Sequence, residues 1–351
     1  MNQLTKRFQN KLNIASGRVD MTHGAGGRAM NDLIEQLFHK HLHNDYLDQK
    51  NDQAILPAPA AHERLVISTD SHVVTPVFFP GGDIGSLSVH GTVNDVAMSG
   101  ARPLYLSAGF ILEEGFPLAD LERIVISMAK AARDAGVAIV TGDTKVVEKG
   151  KGDGVFISTT GVGVVPNDLD ISGANAKAGD AVLVNGTIGD HGVAIMSHRE
   201  NLAFETEIVS DSAALNGLIA DMVAAVPDIH VLRDPTRGGL ASTLNEIAQQ
   251  SQVGIKLREE DIPVRADVQA ACEFLGLDAL YVANEGKVIV ICPQEQADAA
   301  LTVMRAHPLG KEAAQIGVVH EDKDHFVTME TVFGGGRIVD WLNGEQLPRI
   351  C

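Results

Sequence analysis

The order of the predicted secondary-structure elements is the sequence feature that most constrains the fold of this chain. Short apolar runs alternate with segments of helical periodicity in each of two successive halves. In the first half we predict helices at residues 29–43, 84–99 and 118–135, and strands at residues 64–70, 103–112, 137–143 and 154–165. In the second half we predict strands at residues 181–186, 288–292 and 314–319, and helices from about residue 192 and at 213–226, 240–251, 267–275 and 295–306. Both halves mix the elements in a similar order, so the pattern predicts a duplicated α/β architecture.

The domain organisation follows from length and from composition shifts. A chain of 351 residues is long enough for two domains with substantial cores. A proline-bearing polar stretch at residues 166–179 marks a boundary between them. We therefore predict a loosely ordered extension at residues 1–20, a first domain at 21–166, a second domain at 167–332 and a mobile tail at 333–351.

Charge and composition exclude several classes of protein. The formal charge of −18 argues against a nucleic-acid partner, which requires a basic face. The sequence shows no apolar signal-peptide core at its start and no run of 18 apolar residues, so we expect no membrane span. The three cysteines have no metal-binding spacing, and Cys272 and Cys292 lie in apolar surroundings typical of buried thiols. We expect a cytoplasmic protein.

The end of the chain carries a thiol beyond three consecutive glycines, Gly334 to Gly336. Glycine has no Cβ, so the three residues are suited to act as a swivel. The following fifteen residues, when extended, span about 50 Å, which exceeds the radius of a domain. Cys351 is therefore a candidate carrier residue that visits a pocket elsewhere in the molecule. The alternative is an ordinary disordered terminus.

Acidic residues recur at the ends of predicted strands or beside glycine turns, at Asp70, Asp95, Asp143 and Asp234. Mg²⁺ binds carboxylate oxygens together with phosphate oxygens and water, and like charges that converge on one spot repel unless a cation lies between them. The pattern indicates a nucleotide–magnesium site. Each aspartate taken singly is also explained as a helix cap or a turn residue.

The glycine-rich loop at residues 23–27 precedes the first predicted helix and contains Gly24, Gly26 and Gly27. It lacks the lysine and the spacing of a P-loop, and it does not follow a strand as a Rossmann dinucleotide loop does. Its backbone N–H groups are nevertheless suited to bind phosphate.

Two further charged residues are candidates for catalysis. Lys145 lies two residues beyond Asp143, where an ammonium group stabilises charge on a transferring phosphoryl group or an oxyanion. Glu285 lies just before a predicted strand, where a carboxylate is available as a base. Ordinary surface charge is the alternative for both residues.

Several motifs, in this order along the chain, together resemble the HypE family of hydrogenase maturation proteins. They lie at residues 23–27, 69–71, 79–85, 91–100, 101–103, 141–147, 233–239, 284–287 and 348–351. The resemblance runs from about residue 20 to the last residue, and the terminal Pro-Arg-Ile-Cys is its most specific part. The wider PurM-like superfamily includes aminoimidazole ribonucleotide (AIR) synthetase, selenophosphate synthetase and thiamine-phosphate kinase.

The resemblance implies a PurM-like fold of class α/β (α+β), with a mixed-sheet N-terminal domain that dimerises and a C-terminal α/β domain. It also implies a carbamoyl dehydratase. The partner HypF loads a carbamoyl group onto Cys351, ATP phosphorylates the amide oxygen, and loss of phosphate leaves a thiocyanate. The cyano group then passes to iron on the HypC–HypD complex, for the nickel–iron hydrogenase.

The resemblance also implies roles for particular residues. Lys145 and Glu285 serve the dehydration, with Glu285 as the base for the amide N–H. Mg²⁺ and the ATP phosphates are held by the four aspartates and by further residues of the same motifs, namely Asp83, Asn94, Gly142 and the glycines of the N-terminal loop, Gly24, Gly26 and Gly27.

Two other functions stay open at the level of sequence. The first is another PurM-like enzyme that acts on a free small molecule. A selenophosphate synthetase, however, carries a lysine and a reactive cysteine or selenocysteine in its N-terminal glycine loop, and residues 23–28 contain neither. The second is a non-catalytic docking protein whose tail binds partners.

Overall fold

A computed structural model describes residues 11–51, 53–200, 208–342, 344 and 349–350. In the first half a helical segment comes first, with α1 at Arg28–Leu33, a π-helical turn at Ile34–His39 and α2 at Lys40–Leu42. It is followed by β1 (Glu63–His72), β2 (Phe78–Phe79), β3 (Gly82–Asp83), α3 (Ile84–Ala97), β4 (Arg102–Glu113), α4 (Leu118–Asp134), β5 (Ala138–Val147) and β6 (Val155–Pro166). Strands β2 and β3 form a small separate ladder. The predicted alternation of elements is therefore present.

The first sheet has the strand order β1-β6-β4-β5, in which only β4 and β5 run parallel. Side chains alternate between its two faces. Helix α3 packs against β1 and β6 on the inner face, where Ser68, Asp70 and His72 point. On the outer face of β1, Leu65 and Ile67 are 62% and 72% exposed.

The second half builds a larger mixed sheet. Its elements are β7 (Asp180–Val184), α5 (Asp190–Arg199), α6 (Asn216–Ala225), β8 (Val231–Arg233), α7 (Gly239–Ser251), β9 (Gly254–Arg258), α8 (Ala266–Leu275), β10 (Ile289–Pro293), α9 (Ala297–Ala306), β11 (Ala314–His320), β12 (Val327–Glu330) and β13 (Gly336–Ile338). The strand order is β13-β12-β9-β11-β7-β10-β8, and only β9 and β12 run parallel. None of the helices in the described part of the chain is both long and apolar enough to cross a bilayer.

Burial on both faces of this second sheet explains the continuous apolar strands of the sequence. In β7, Val182 and Val184 join the hydrophobic cluster under α7, whereas Ala181 and Leu183 join the cluster under α6 and α9. The mixed α/β architecture with two sheets agrees with the predicted PurM-like fold class.

The glycines predicted as a swivel are instead part of a β-hairpin. Strand β13 pairs with β12, and the turn between them is closed by the Thr331 N–H, which donates to the Gly335 carbonyl at 2.7 Å. Gly334 has a φ of +77°, a conformation that favours glycine. Val339 is 1% exposed in the core of the second domain. The prediction that mobility begins at residue 333 is therefore wrong, because these glycines serve a tight turn.

The described part of the predicted N-terminal extension, residues 11–20, is packed against the first domain. Val19 is 1% exposed, and its N–H donates to the Phe116 carbonyl at 2.8 Å. The N–H of Leu118 donates to the Gly17 carbonyl at 3.0 Å. The prediction of loose order is therefore wrong for this part. Residues 1–10 lie outside the described residues.

Candidate functional site

Three of the four predicted acids converge where the two domains meet. Asp70 lies on β1, Asp95 lies on α3 and Asp234 follows β8. Burial, together with the nearby Asp95 and Asp70, raises the pKa of Asp234 to about 7. Burial also raises the pKa of Asp95, and the charge of Asp70 raises it further. The hydrogen bond that Ser68 Oγ donates to Asp95 at 2.8 Å lowers this pKa, but it does not cancel the rise. The three carboxylates therefore share one region of negative charge, which Arg233 and Arg237, the latter 3.9 Å from Asp70, offset only in part.

Glu285 belongs to the same region and is the most buried of the predicted site acids. Its residue is 4% exposed, and its Oε1 atom has no hydrogen-bond partner within the described ranges. Burial raises the pKa of Glu285 well above its ordinary value, and the charges of Asp211, Asp234 and Asp70 add to the rise. A buried carboxylate of raised pKa is a strong proton acceptor once it is ionised.

A buried ion pair that sequence reasoning missed holds the backbone around Glu285. Lys287 Nζ donates to Asp211 Oδ2 at 2.8 Å, and the same carboxylate accepts from the N–H groups of Glu285 at 3.1 Å and Gly286 at 3.2 Å. Burial opposes the ionisation of Asp211, but the ammonium group of Lys287 and the hydrogen bonds to the carboxylate outweigh it and lower the pKa of Asp211. Lys287 was visible in the motif at residues 284–287. No sequence pattern indicates Asp211, because it lies in a segment without regular secondary structure.

Asp143 and Lys145 do not join this cluster within one protomer. The register aligns Asp70 with Thr159, Thr159 with Ala108, and Ala108 with Gly142, so three strand spacings, about 14 Å, separate β1 from β5. Thr144 on the inner face of β5 is buried, whereas Asp143 and Lys145 point to the outer face with side chains 62% and 65% exposed. Their ion pair measures 2.8 Å and lowers the pKa of Asp143.

The predicted quartet of metal ligands is therefore divided between two faces of the first sheet. No group of three His, Cys, Asp or Glu side chains in the described ranges has the geometry to hold a metal ion by itself. The donor set at Asp70, Asp95 and Asp234 nevertheless fits Mg²⁺, because it consists of hard oxygen ligands whose mutual repulsion a cation relieves.

Asp83 is a helix cap and not a member of the cluster. Its Oδ1 accepts from the N–H groups of Gly85 at 2.7 Å and Ser86 at 3.1 Å, at the start of α3. Twelve residues of α3 separate it from Asp95, which corresponds to about 18 Å. The predicted phosphate-side role of Asp83 is therefore not supported.

Asn94 is a structural link between the domains. It is 2% exposed, and its amide nitrogen donates to the carbonyls of Ala213 at 3.0 Å and Glu285 at 3.3 Å. Its Oδ1 accepts from the Leu215 N–H at 2.8 Å. Every polar atom of this side chain is engaged by the protein, so the structure offers no free donor for the nucleotide contact that the sequence predicts.

Gly142 and Gly24 are required by close packing. A Cβ on Gly142 would lie 2.6 Å from the Ala108 carbonyl oxygen, and one on Gly24 would lie 2.9 Å from Val146. By contrast, Gly26 and Gly27 have no atom within 4 Å of the equivalent position. The glycine loop therefore rests on β5 through Gly24 and leaves the backbone at Gly26 and Gly27 open, as its predicted phosphate contact requires.

A cavity of about 350 Å³ lies between the first helical segment and β5. Its walls include apolar groups from Ile34, Phe38 and Phe110 together with the strand residues Gly142 and Thr144. Its size and mostly apolar lining are typical of a pocket for a flat heterocycle.

The last described residues of the chain are bound at the domain junction. Ile350 is 3% exposed and packs in the core of the first domain, in a hydrophobic cluster that also contains Ala283 of the second domain. Its carbonyl oxygen lies 2.7 Å from Nε2 of the buried His191. His191 also bonds the hydroxyl of Ser210 at 2.8 Å, and the next residue, Asp211, holds the backbone of Glu285. Cys351 itself lies outside the described residues, but the residue before it contacts His191 of the same chain.

Comparison with known proteins identifies the family. Two family models match, AIR synthase related protein, N-terminal domain, over residues 50–165, and AIR synthase related protein, C-terminal domain, over residues 177–330. A protein of Azotobacter vinelandii named carbamoyl dehydratase HypE is 67% identical over 341 residues, which cover 97% of this chain and 99% of the relative. The chain belongs to the HypE family of hydrogenase maturation proteins.

Solved structures of HypE proteins share the fold described above. A HypE in complex with ATP superposes with a TM-score of 0.91 at 55% identity, covering 94% of this chain and 99% of the other. A HypE–HypF complex contains a chain that matches with a TM-score of 0.77 at 52% identity, covering 88% of this chain and 99% of the other. The resemblance stated from the sequence motifs is therefore confirmed, as is the PurM-like fold class.

Proposed function

We propose that this protein is an ATP-dependent dehydratase that converts an S-carbamoyl group on its own Cys351 into a thiocyanate, the source of the cyanide ligand of a nickel–iron hydrogenase. The observation that carries the proposal is the binding of Ile350 beside His191 and the Glu285–Asp211–Lys287 group. This position of Ile350 supports the proposal that a substrate borne by the next residue reaches the buried acids of the same chain. The carbamoyl dehydratase name of the Azotobacter relative and the ATP complex of another HypE support the same chemistry.

The reaction needs phosphate because the amide oxygen is a poor leaving group. In the first step the carbonyl oxygen of S–C(=O)–NH₂ attacks the γ-phosphorus of ATP, ADP leaves, and one N–H proton is lost. In the second step the C–O bond breaks, phosphate leaves, and loss of the second N–H proton forms the C≡N bond. We assign both proton transfers to Glu285, whose buried position and raised pKa suit a general base. Positioning and electrostatic stabilisation supply the remaining catalysis.

Asp70, Asp95 and Asp234 would hold Mg²⁺, which neutralises charge on the phosphate oxygens when bound. The open backbone at Gly26 and Gly27 is suited to contact phosphate. The cavity beside β5 is of a size for the adenine base.

We further propose a homodimer formed through the first domains. The exposed Leu65 and Ile67 lie on the outer face of the first sheet, and β1 and β5 are its two edges. A second copy that covers this face and places its β5 beside β1 would bring the Asp143 and Lys145 of that copy close to Asp70. The site would then be completed by two chains.

A mixing experiment tests the shared site. Glu285→Gln and Lys145→Ala homodimers are each expected to be inactive. Random mixing makes about half of the dimers contain one chain of each variant. If Lys145 acts on the other chain's site, each such dimer has one active site out of two, so the mixture should show about a quarter of the wild-type activity. If both residues serve the same chain, mixing restores nothing. Ile67→Glu is expected to yield monomers in light scattering, and a persistent dimer would overturn the proposed interface.

The partners of the reaction follow from its chemistry and from the family. HypF is proposed as the carbamoyl donor, as the HypE–HypF complex suggests, and the HypC–HypD complex is proposed as the acceptor of cyanide. Cys272 and Cys292 are free buried thiols, in keeping with the proposed cytoplasmic location.

Mass spectrometry of the C-terminal peptide tests the proposed function directly. After incubation with ATP, Mg²⁺ and the HypF carbamoylation system, wild-type protein should show Cys351 with a carbamoyl group that has lost one water. Glu285→Gln should stop at the carbamoylated peptide while still binding ATP. Cys351→Ala should bind ATP and acquire no modification. A carbamoylated peptide that never loses water in wild-type protein would favour another PurM-like reaction on a free small molecule.

A further inference from the structure

The main chain at Arg349 and Ile350 is held by a set of hydrogen bonds from the body of the protein. His191 Nε2 lies 2.7 Å from the Ile350 carbonyl oxygen. One step earlier, the Arg349 carbonyl accepts from Arg199 at 2.9 Å and from the Thr75 N–H at 3.2 Å. The guanidinium of Arg199 also donates to the Thr75 carbonyl at 2.8 and 2.6 Å, so Arg199 links the backbone at Thr75 to the backbone at Arg349.

The tautomer of His191 is fixed by its partners. A carbonyl oxygen only accepts, so Nε2 must carry the hydrogen, and Nδ1 then accepts from the Ser210 hydroxyl at 2.8 Å. The ring is fully buried, and it meets the ring of Phe79 edge-on at a centroid distance of 5.7 Å. Burial lowers the pKa of His191, which favours this neutral form. His191 is therefore a rigid, uncharged donor aimed at the tail.

We infer that His191 and Arg199 are positioning residues that clamp the tail backbone and set the location of Cys351, an inference that rests on the proposed dehydratase function. The Ile350 carbonyl belongs to the peptide unit that joins Ile350 to Cys351. Because that unit is planar, fixing the carbonyl also fixes the nitrogen and the Cα of the next residue. We therefore expect the clamp to restrict the group that carries the substrate.

Side-chain contacts add selectivity for the last residues. Ile350 fills an apolar pocket in the first domain. Arg349 forms an ion pair with Asp153 at 3.0 Å, but both side chains are partly exposed, so this pair contributes little. The buried hydrogen bonds and the apolar contact thus dominate the docking. They are few enough to be reversible, as loading by a partner requires.

The reactivity of the Cys351 thiol tests the clamp without ATP and without a carbamoyl group. Iodoacetamide labelling of the full-length protein, quantified on the C-terminal peptide, reports the fraction of time that the tail is undocked. His191→Leu removes the donor from a buried carbonyl, and we expect labelling to accelerate about tenfold. Arg199→Met should show a similar change, and His191→Gln, whose amide retains a donor, should restore part of the protection.

His90→Leu is the matched control. His90 bonds Ser212 at 2.9 Å in the same segment as Ser210, but the hydrogen bonds described for its ring do not involve the tail. Its labelling rate should equal that of wild-type protein. Equal acceleration in His90→Leu would show that a loosened segment, and not the tail bond, is responsible. Unchanged labelling in both His191→Leu and Arg199→Met would overturn the clamp.

The clamp and the proposed function fail in different ways. In single-turnover dehydration of the carbamoylated tail, His191→Leu should lower the rate about tenfold and leave the Kd for ATP unchanged. Tail protection without any dehydration in wild-type protein would remove the function and leave the docking site. Normal dehydration in His191→Leu, together with labelling no faster than in wild-type protein, would remove the clamp and leave the function.

Discussion

Replacing Asn94 by alanine distinguishes a nucleotide ligand from a structural link between the domains. The change removes three hydrogen bonds, to the carbonyls of Ala213 and Glu285 and from the Leu215 N–H. At about 1 kcal/mol each they contribute about 3 kcal/mol, and the better helix propensity of alanine returns about 0.6 kcal/mol. We therefore expect the free energy of unfolding to fall by about 2.4 kcal/mol.

This loss converts into a small but measurable shift in melting temperature. An unfolding entropy of about 2.1 cal/mol/K per residue gives about 0.74 kcal/mol/K for 351 residues, so Tm should fall by about 3 °C. Differential scanning calorimetry measures the shift, and isothermal titration well below Tm measures ATP affinity, which should stay within about twofold of wild type.

Asn216→Ala provides the control for the same substitution. Its amide makes one described interdomain bond, to the Ala135 carbonyl at 2.9 Å, so Tm should fall by less than about 1 °C. The structural interpretation of Asn94 is refuted by an unchanged Tm in Asn94→Ala combined with a tenfold loss of ATP affinity.

Two further substitutions test the packing and the charges of the site. Lys287→Met leaves the buried Asp211 without its cation and should cost about 3–5 kcal/mol, or about 4–7 °C in Tm, and the added change Asp211→Asn should recover part of it. An unchanged Tm in the single variant would show that the pair does not stabilise the fold. Gly142→Ala places a Cβ 2.6 Å from the Ala108 carbonyl and should cost about 1–3 kcal/mol in chemical denaturation, whereas Gly27→Ala, with open space around it, should cost little. Equal stability of the two glycine variants would contradict the packing argument.

Most of the long elements were predictable because their signals are local. The predicted helix at 118–135 corresponds to α4, Leu118–Asp134, and the predicted strand at 154–165 corresponds to β6, Val155–Pro166. Helical and alternating periodicities depend only on neighbours a few residues away. The short strands β9, β12 and β13 were missed, because charged or polar residues interrupt them, whereas the equally short β7 and β10 show an apolar run.

The candidate site was predictable only in part, and the grouping of Asp143 with the other aspartates failed for a reason that lies in the sheet. Asp70 and Asp143 look alike in sequence, because each follows an apolar run. The strands bearing them are separated by two others, and the register shift between Leu106 and Ser107 helps set which face each side chain of β5 takes. Face and distance across a sheet are tertiary properties, so the sequence grouped residues that one protomer keeps apart.

The sequence by itself determined the family and the two-domain α/β class, because motifs and periodicities depend only on the order of residues. It also indicated Glu285 and three aspartates that the fold brings into one region. Tertiary structure alone decided that Asn94 and Asp83 bond backbone groups of the protein, that Asp211 holds the backbone of Glu285, and that His191 donates to the Ile350 carbonyl. These contacts join residues up to 191 positions apart along the chain. Such contacts depend on how whole domains pack, and no local pattern specifies them.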